Sequence, residues 1–153
     1  MYCTIEDILK ELDKLLLIEL VNDENKSPDE IDLEDEESNC VIRINEQIKN
    51  ASDEIDGYLA GKYPTPLSIV PNLIKLVCKD IAIYNLYKRR HRLDMPESIT
   101  QIYNYRVKLL DQIQKGNVQL GLSPNPTTGE NVIKINKIPE DRLFGKDVLD
   151  TFT

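Results

Sequence analysis

Between residues 44 and 59 the apolar side chains keep to one face of a helix, and this constrains the fold more than any other feature. With Ile44 as origin, Ile48, Ala51, Ile55, Tyr58 and Leu59 all fall within about 100° of arc at 100° per residue. Glu46, Lys49, Asp53 and Asp56 fall on the far side. Such a stripe has to be buried against other helices, and the rest of the chain supplies them. Thr4 and Asp7 have the spacing of a helix start before Ile5, Ile8, Leu9 and Leu12. Asp13 either breaks that helix or caps a second one over 15–21. Pro64, Pro66 and Pro71 make the next connector stiff. Pro71 is expected to open a helix running to about Arg90, with Ile74, Val77, Cys78, Ile81 and Ala82 on its core face and Leu76 nearly opposite. Pro96 opens another, striped by Ile99, Ile102, Tyr103, Leu109, Leu110 and Ile113. Gly61 and Gly116 stand where a left-handed residue would end the helices before them. The predicted architecture is all-α, with four to five helices in a compact bundle over residues 1–116. Arg106 lies within the last stripe and needs a carboxylate there, for which Asp80 is the expected partner.

Charge divides the chain differently. It carries 27 acidic and 19 basic residues, a net charge of −8. Residues 22–38 hold nine of the acids and one lysine, leaving 18 of each sign elsewhere. At this density like charges repel, so the segment reads as a solvated acidic loop. Its Asp29, Asp32 and Asp35 recur every third residue without a turn glycine, which does not fit a calcium loop. The acidic balance excludes a protein coated all round for phosphate binding. The run Leu15 to Ile18 stops at Glu19, far short of the ~20 apolar residues of a membrane span. Glu6 and Asp7 argue against a signal peptide.

After Gly116 the period becomes two. Val118, Leu120 and Leu122 alternate with Gln119 and Gly121, a run of turn residues follows, and Val132 to Ile135 is strand-like. Residues 117–153 are therefore expected to form an extended arm or β-hairpin. Leu143, Phe144, Val148, Leu149 and Phe152 need a surface to pack on, either this domain or a partner.

The chemistry of catalysis finds no constellation. Phosphate-loop, dinucleotide, nucleophile-elbow and zinc-protease motifs are all absent. Cys3, Cys40 and Cys78 are odd in number and widely spaced, which fits neither a disulfide framework nor a structural zinc site. His91 is the sole histidine; on one helix with Cys78 it would stand about 20 Å away and about 220° round. Cys78 is expected in the core, and neither metal nor cofactor is expected. Lys88, Arg89, Arg90, His91 and Arg92 form a basic run that could grip phosphates, although a cationic helix end that complements the dipole and ends in solvent accounts for it better. Seven tyrosines and no tryptophan fit subunit interfaces, where the ring is apolar and the hydroxyl finds partners, although core and groove packing is the commoner place for any single ring.

The run Glu54, Ile55, Asp56, Gly57, Tyr58 and Leu59, then Lys62, Tyr63, Pro66 and Leu67, resembles a family of Mu-like phage and prophage proteins. These are encoded in the head-to-tail region and classed as a domain of unknown function. Asp80, Ile81, Ala82, Tyr84, Leu86 and Arg89 continue the resemblance, as do Tyr103, Leu110, Ile113, Gly116, Arg142, Phe144 and Leu149, with Tyr2, Thr4 and Asp7 at the start. Lys62 departs from the arginine common in the family, and the acidic segment is longer than the family leads one to expect. The resemblance implies no enzyme activity but a virion assembly role, similar to the small helical head–tail connector subunits that form rings. On that basis the expected function is a head-completion or head–tail connector subunit, present in the host bacterial cytoplasm during assembly and then in the virion. Its expected partners are further copies of itself and neighbouring portal or tail-completion proteins. Tyr63, Pro66, Tyr84, Tyr87, Arg142, Phe144 and Leu149 are the candidate inter-subunit contacts. The alternative is a small helical nucleic-acid-binding or regulatory protein that contacts phosphates through Lys88, Arg89, Arg90 and Arg92.

Overall fold

A computed structural model describes residues 1–90 and 95–125. Among them the fold is all-α: α1 (Ile5–Leu9), α2 (Lys14–Val21), α3 (Asn39–Leu59), α4 (Asn72–Arg89) and α5 (Glu97–Gln114), with a 3-10 turn at Pro28–Glu30. The N-terminal helical region is two helices. Thr4 and Asp7 form a reciprocal capping box on α1, and Asp13 holds the N-cap position of α2 without a side-chain bond. The Asp7 carboxylate also takes Lys10 Nζ at 2.9 Å and Lys75 Nζ at 3.1 Å, so the cap fastens α1 to α4.

The core lies where the periodicity places it. Ile44, Ile48, Ala51, Ile55 and Leu59 of α3 are fully buried. They face Ile74, Val77, Cys78, Ile81 and Ala82 of α4, also fully buried. Each large side chain removed from water in this way contributes about 1.5–3 kcal/mol. The α4 helix packs on α1, α2, α3 and α5, which explains its wide apolar face. Its boundary differs by one from the expectation: Pro71 is the N-cap and Asn72 the first helical residue. The stripe of α5 is narrower than its sequence suggests. Leu110 and Ile113 are fully buried, but Ile102 is 45% exposed because the N-terminal half of α5 is covered on one side only. Arg106 Nε donates to Asp80 Oδ2 at 2.6 Å across the α4–α5 contact.

Gly116 has φ +85° and ends α5, as its position implies. Gly61 does not take the left-handed conformation; α3 passes through a right-handed Ala60, and Tyr63 N–H bonds back to Leu59 O. Beyond Gly116, residues 117–125 form no strand and lie against the helical body. Val118, Leu120 and Leu122 pack on the core, Leu120 N–H donates to Tyr63 Oη at 3.2 Å, and Asn125 N–H donates to Lys62 O at 2.8 Å. The expected hairpin residues Val132 to Ile135 lie outside the described residues.

The acidic segment is less detached than its composition suggests. Ile31 is buried in the core, and Asn22 holds Lys26 through bonds to both its N–H and its carbonyl. Asp23 and Glu24 pair with Arg43 of α3, while Asp23 also takes Arg89 and Arg90 at the end of α4. From Asp29 to Glu37 all the acidic side chains are exposed.

Candidate assembly surface

The sequence-derived contact residues divide sharply by environment. Tyr63 is 2% exposed, with its hydroxyl spent on Leu120 N–H. Tyr87 is buried too, and burial raises its phenol pKa. Both rings serve the chain's own core in this conformation rather than an outer face. Tyr84 is half-buried and stacks on Tyr103 with ring centroids 3.9 Å apart and planes at 10°. Tyr103 in turn donates to Glu54 Oε1 at 3.0 Å. Burial, then the nearby Glu54 carboxylate, pushes the Tyr103 phenol up to about 12. This stack joins α3, α4 and α5. Pro66 is the exception: it is exposed and follows a cis peptide bond. Arg142, Phe144 and Leu149 lie outside the described residues.

The candidate phosphate contacts are largely committed inside the chain. Arg89 bonds Leu20 O at 3.2 Å and both oxygens of Asp23. Arg90 donates to Asn22 O at 2.6 Å and stands 3.6 Å from Asp23 Oδ1. These guanidinium groups, Arg89 foremost, hold the Asp23 carboxyl below its usual range. Only Lys88 is exposed, and Arg92 lies outside the described residues. The end of α4 is thus a clamp on the carbonyls that α2 leaves unpaired at its C-terminus, not an open cationic patch.

What faces outward instead is a scattered apolar surface. Pro66 borders a groove of ≈ 670 Å³ along α3, with Met1, Tyr2, Ile42, Asn45 and Glu46. Met1 is 71% exposed and Ile42 48%. Ile69, Val70 and Leu76 are exposed near the start of α4, and Ile102 and Tyr105 on α5. Ile42, Ile69, Val70, Leu76 and Ile102 are neither tyrosines nor part of the family resemblance, so neither signal singles them out. A usable signal was present: Ile42 and Leu76 sit off the core stripes of their own helices, and Ile69 and Val70 lie in the proline connector. Among the described residues no three His, Cys, Asp or Glu side chains are grouped to hold a metal. No helix among them is long and apolar enough to cross a membrane.

Comparison with known proteins sets this surface in context. A "Mu-like prophage FluMu protein gp36" of Haemophilus influenzae is 34% identical over 89 residues, 58% of this chain and 60% of that protein. "Gene product J" of Escherichia phage Mu is 30% identical over 95 residues, 60% of this chain and 64% of that protein. The chain therefore spans about three fifths of the length of these curated relatives. The family described as "Bacteriophage Mu, Gp36" matches residues 2–134, which takes in all five helices, the acidic segment and the docked residues 117–125. The chain belongs to the Bacteriophage Mu Gp36 family.

Proposed function

We propose that this protein is a structural subunit of a Mu-like phage particle, acting at head completion or head–tail connection by assembling into a ring. The observation that carries the reading is the family match over residues 2–134. The structure supports it in two ways. The described residues form a helical body with exposed apolar side chains on several helices. In addition, Arg89 and Arg90 are spent on Asp23 and on backbone carbonyls, which weakens the alternative of a phosphate-gripping cluster. In this reading the protein is not an enzyme and needs no cofactor. Its partners are copies of itself and neighbouring portal or tail-completion proteins, met in the host cytoplasm and retained in the virion.

The test is to purify particles from an induced lysogen, identify their proteins by mass spectrometry and label this chain with gold-conjugated antibody. Labelling at the head–tail junction is expected. Absence from the particle, or labelling confined to the distal tail, would overturn the assignment. A gel-shift titration with duplex DNA at low salt bears on the alternative; no shift is expected from the folded chain.

A further inference from the structure

A cleft of ≈ 520 Å³ lies between α1, the acidic segment and the N-terminal half of α3. Its floor is apolar: Ile5 and Leu9 of α1 and Leu33 of the acidic segment are half-buried there, and Val41 of α3 is buried. Its rim is acidic: Glu6, Asp32, Glu34 and Glu36 are all exposed, against Lys14 as the base among the described lining residues. None of the four carboxylates has an ion-pair partner among the described residues. Asp32 Oδ1 accepts from Glu34 N–H at 2.9 Å, a local turn that fixes the backbone on either side of Leu33. Half-covered apolar side chains beside unpaired carboxylates select an occupant that is apolar and cationic together. The run Val132 to Ile138 has that chemistry: four apolar residues, Lys134 and Lys137, and no acid. The run Arg142 to Lys146 holds only two apolar residues and is bounded at once by Asp141 and Asp147.

Reach decides which copy supplies it. Asn125, the last described residue, is tied to the C-terminal end of α3: its N–H donates to Lys62 O at 2.8 Å and its Nδ2 to Ala60 O at 3.2 Å. From Ala60 back to Asn45 and Val41, which line the cleft, the helix runs about 23–29 Å. Ile133 and Ile138 follow Asn125 by eight and thirteen residues, up to about 28 and 45 Å of extended chain. The run therefore reaches the cleft of its own chain, and the tether makes that encounter more frequent than one with a second copy. We propose that residues 132–138 dock in this cleft of their own chain, with isoleucines on Ile5, Leu9 and Leu33 and with Lys134 and Lys137 at the carboxylates of the rim. The lysine stems lie along the apolar floor while their ammonium groups stay in water, which is how such side chains join the two surfaces. The inference does not rest on the assembly reading, because both surfaces belong to one chain.

The experiment follows amide hydrogen exchange of the full chain by mass spectrometry. Peptides covering 132–138 are expected to exchange at least about tenfold more slowly than an unprotected chain of that sequence, and equally so on dilution. Lys134→Glu together with Lys137→Glu should abolish that protection while leaving exchange in α3 and α4 unchanged. Adding Glu34→Lys and Glu36→Lys to the same chain should restore it, because the pairs are then reversed rather than broken. Exchange at the unprotected rate in the wild type, protection that survives the lysine substitutions, or failure of the reversed acids to restore it would each overturn the proposal. Protection lost on dilution would overturn it as well, since the occupant would then come from a second copy.

Discussion

Arg106 and Asp80 are 17% and 12% exposed and bonded at 2.6 Å, so each is the other's solvation. Arg106→Ala leaves a carboxylate in a half-dry contact and is expected to destabilise the fold by about 3 kcal/mol in urea titrations. The double variant D80L/R106M should recover most of that loss, because it removes both charges and keeps the volume; a double variant as unstable as the single one would contradict this account. Asp7 makes a pH-dependent counterpart. Its carboxyl is held well below the usual range, first by Lys10, then by Lys75 and the Thr4 cap, against the opposing effect of burial. A folded pKa below the unfolded one, about 3.9, means that the native state binds fewer protons in that window. Its stabilisation is complete above the unfolded pKa and is lost as pH falls toward the folded one. Asp7→Asn should therefore lower stability at pH 7 and flatten its decline between about pH 5 and pH 2; a parallel decline would show that other carboxylates carry the acid sensitivity.

At the scale of elements, two glycines should respond with opposite signs. Gly57 lies inside α3, where an added Cβ meets nothing within 4 Å, so Gly57→Ala is expected to stabilise by about 0.5–1 kcal/mol. Gly116 has φ +85° at the end of α5, where an L side chain is strained whatever the space, so Gly116→Ala should cost about 1–2 kcal/mol. Thermal melts of the two variants check both signs. The helices themselves were legible because a buried stripe at 3.6-residue spacing leaves few alternatives, as Ile44 to Leu59 illustrate. Arg106 and Asp80 were legible for a related reason: a guanidinium inside a core stripe demands a carboxylate. Long-range polar closures leave no such trace. Tyr2 Oη donates to Asp56 and accepts from Leu67 N–H, and Arg43 reaches Asp23 and Glu24, yet none of these pairs has a spacing that announces it. The acidic segment shows the same limit. Its charge density was plain, but the burial of Ile31 and the anchoring of Asp23 could be read only from where the chain returns. Tyr63 and Tyr87 show the limit from the other direction, since an interface composition cannot separate a ring facing a partner from one facing its own core.

At the scale of the whole molecule, the net charge of −8 belongs to the segment 22–38 rather than to the remainder of the chain, where acids and bases balance. Asp23 and Glu24 are paired in place, and the exposed carboxylates of the segment run from Asp29 to Glu37. Replacing Glu34, Asp35, Glu36 and Glu37 together by Ser should leave the melting temperature nearly unchanged and should alter the salt dependence of assembly, because exposed like charges act through a field that salt screens. A large loss of stability instead would mean that these residues fasten the fold as Asp23 does. Under the proposed function the helical body assembles through its exposed apolar residues. Light scattering of the chain across a wide concentration range, with electron microscopy of the largest species, is the test. The expected result is growth by mass action into closed rings of uniform size, weakened by Ile42→Ser or Ile102→Ser without loss of helicity. A monomer at every concentration, unchanged by those substitutions, would contradict it.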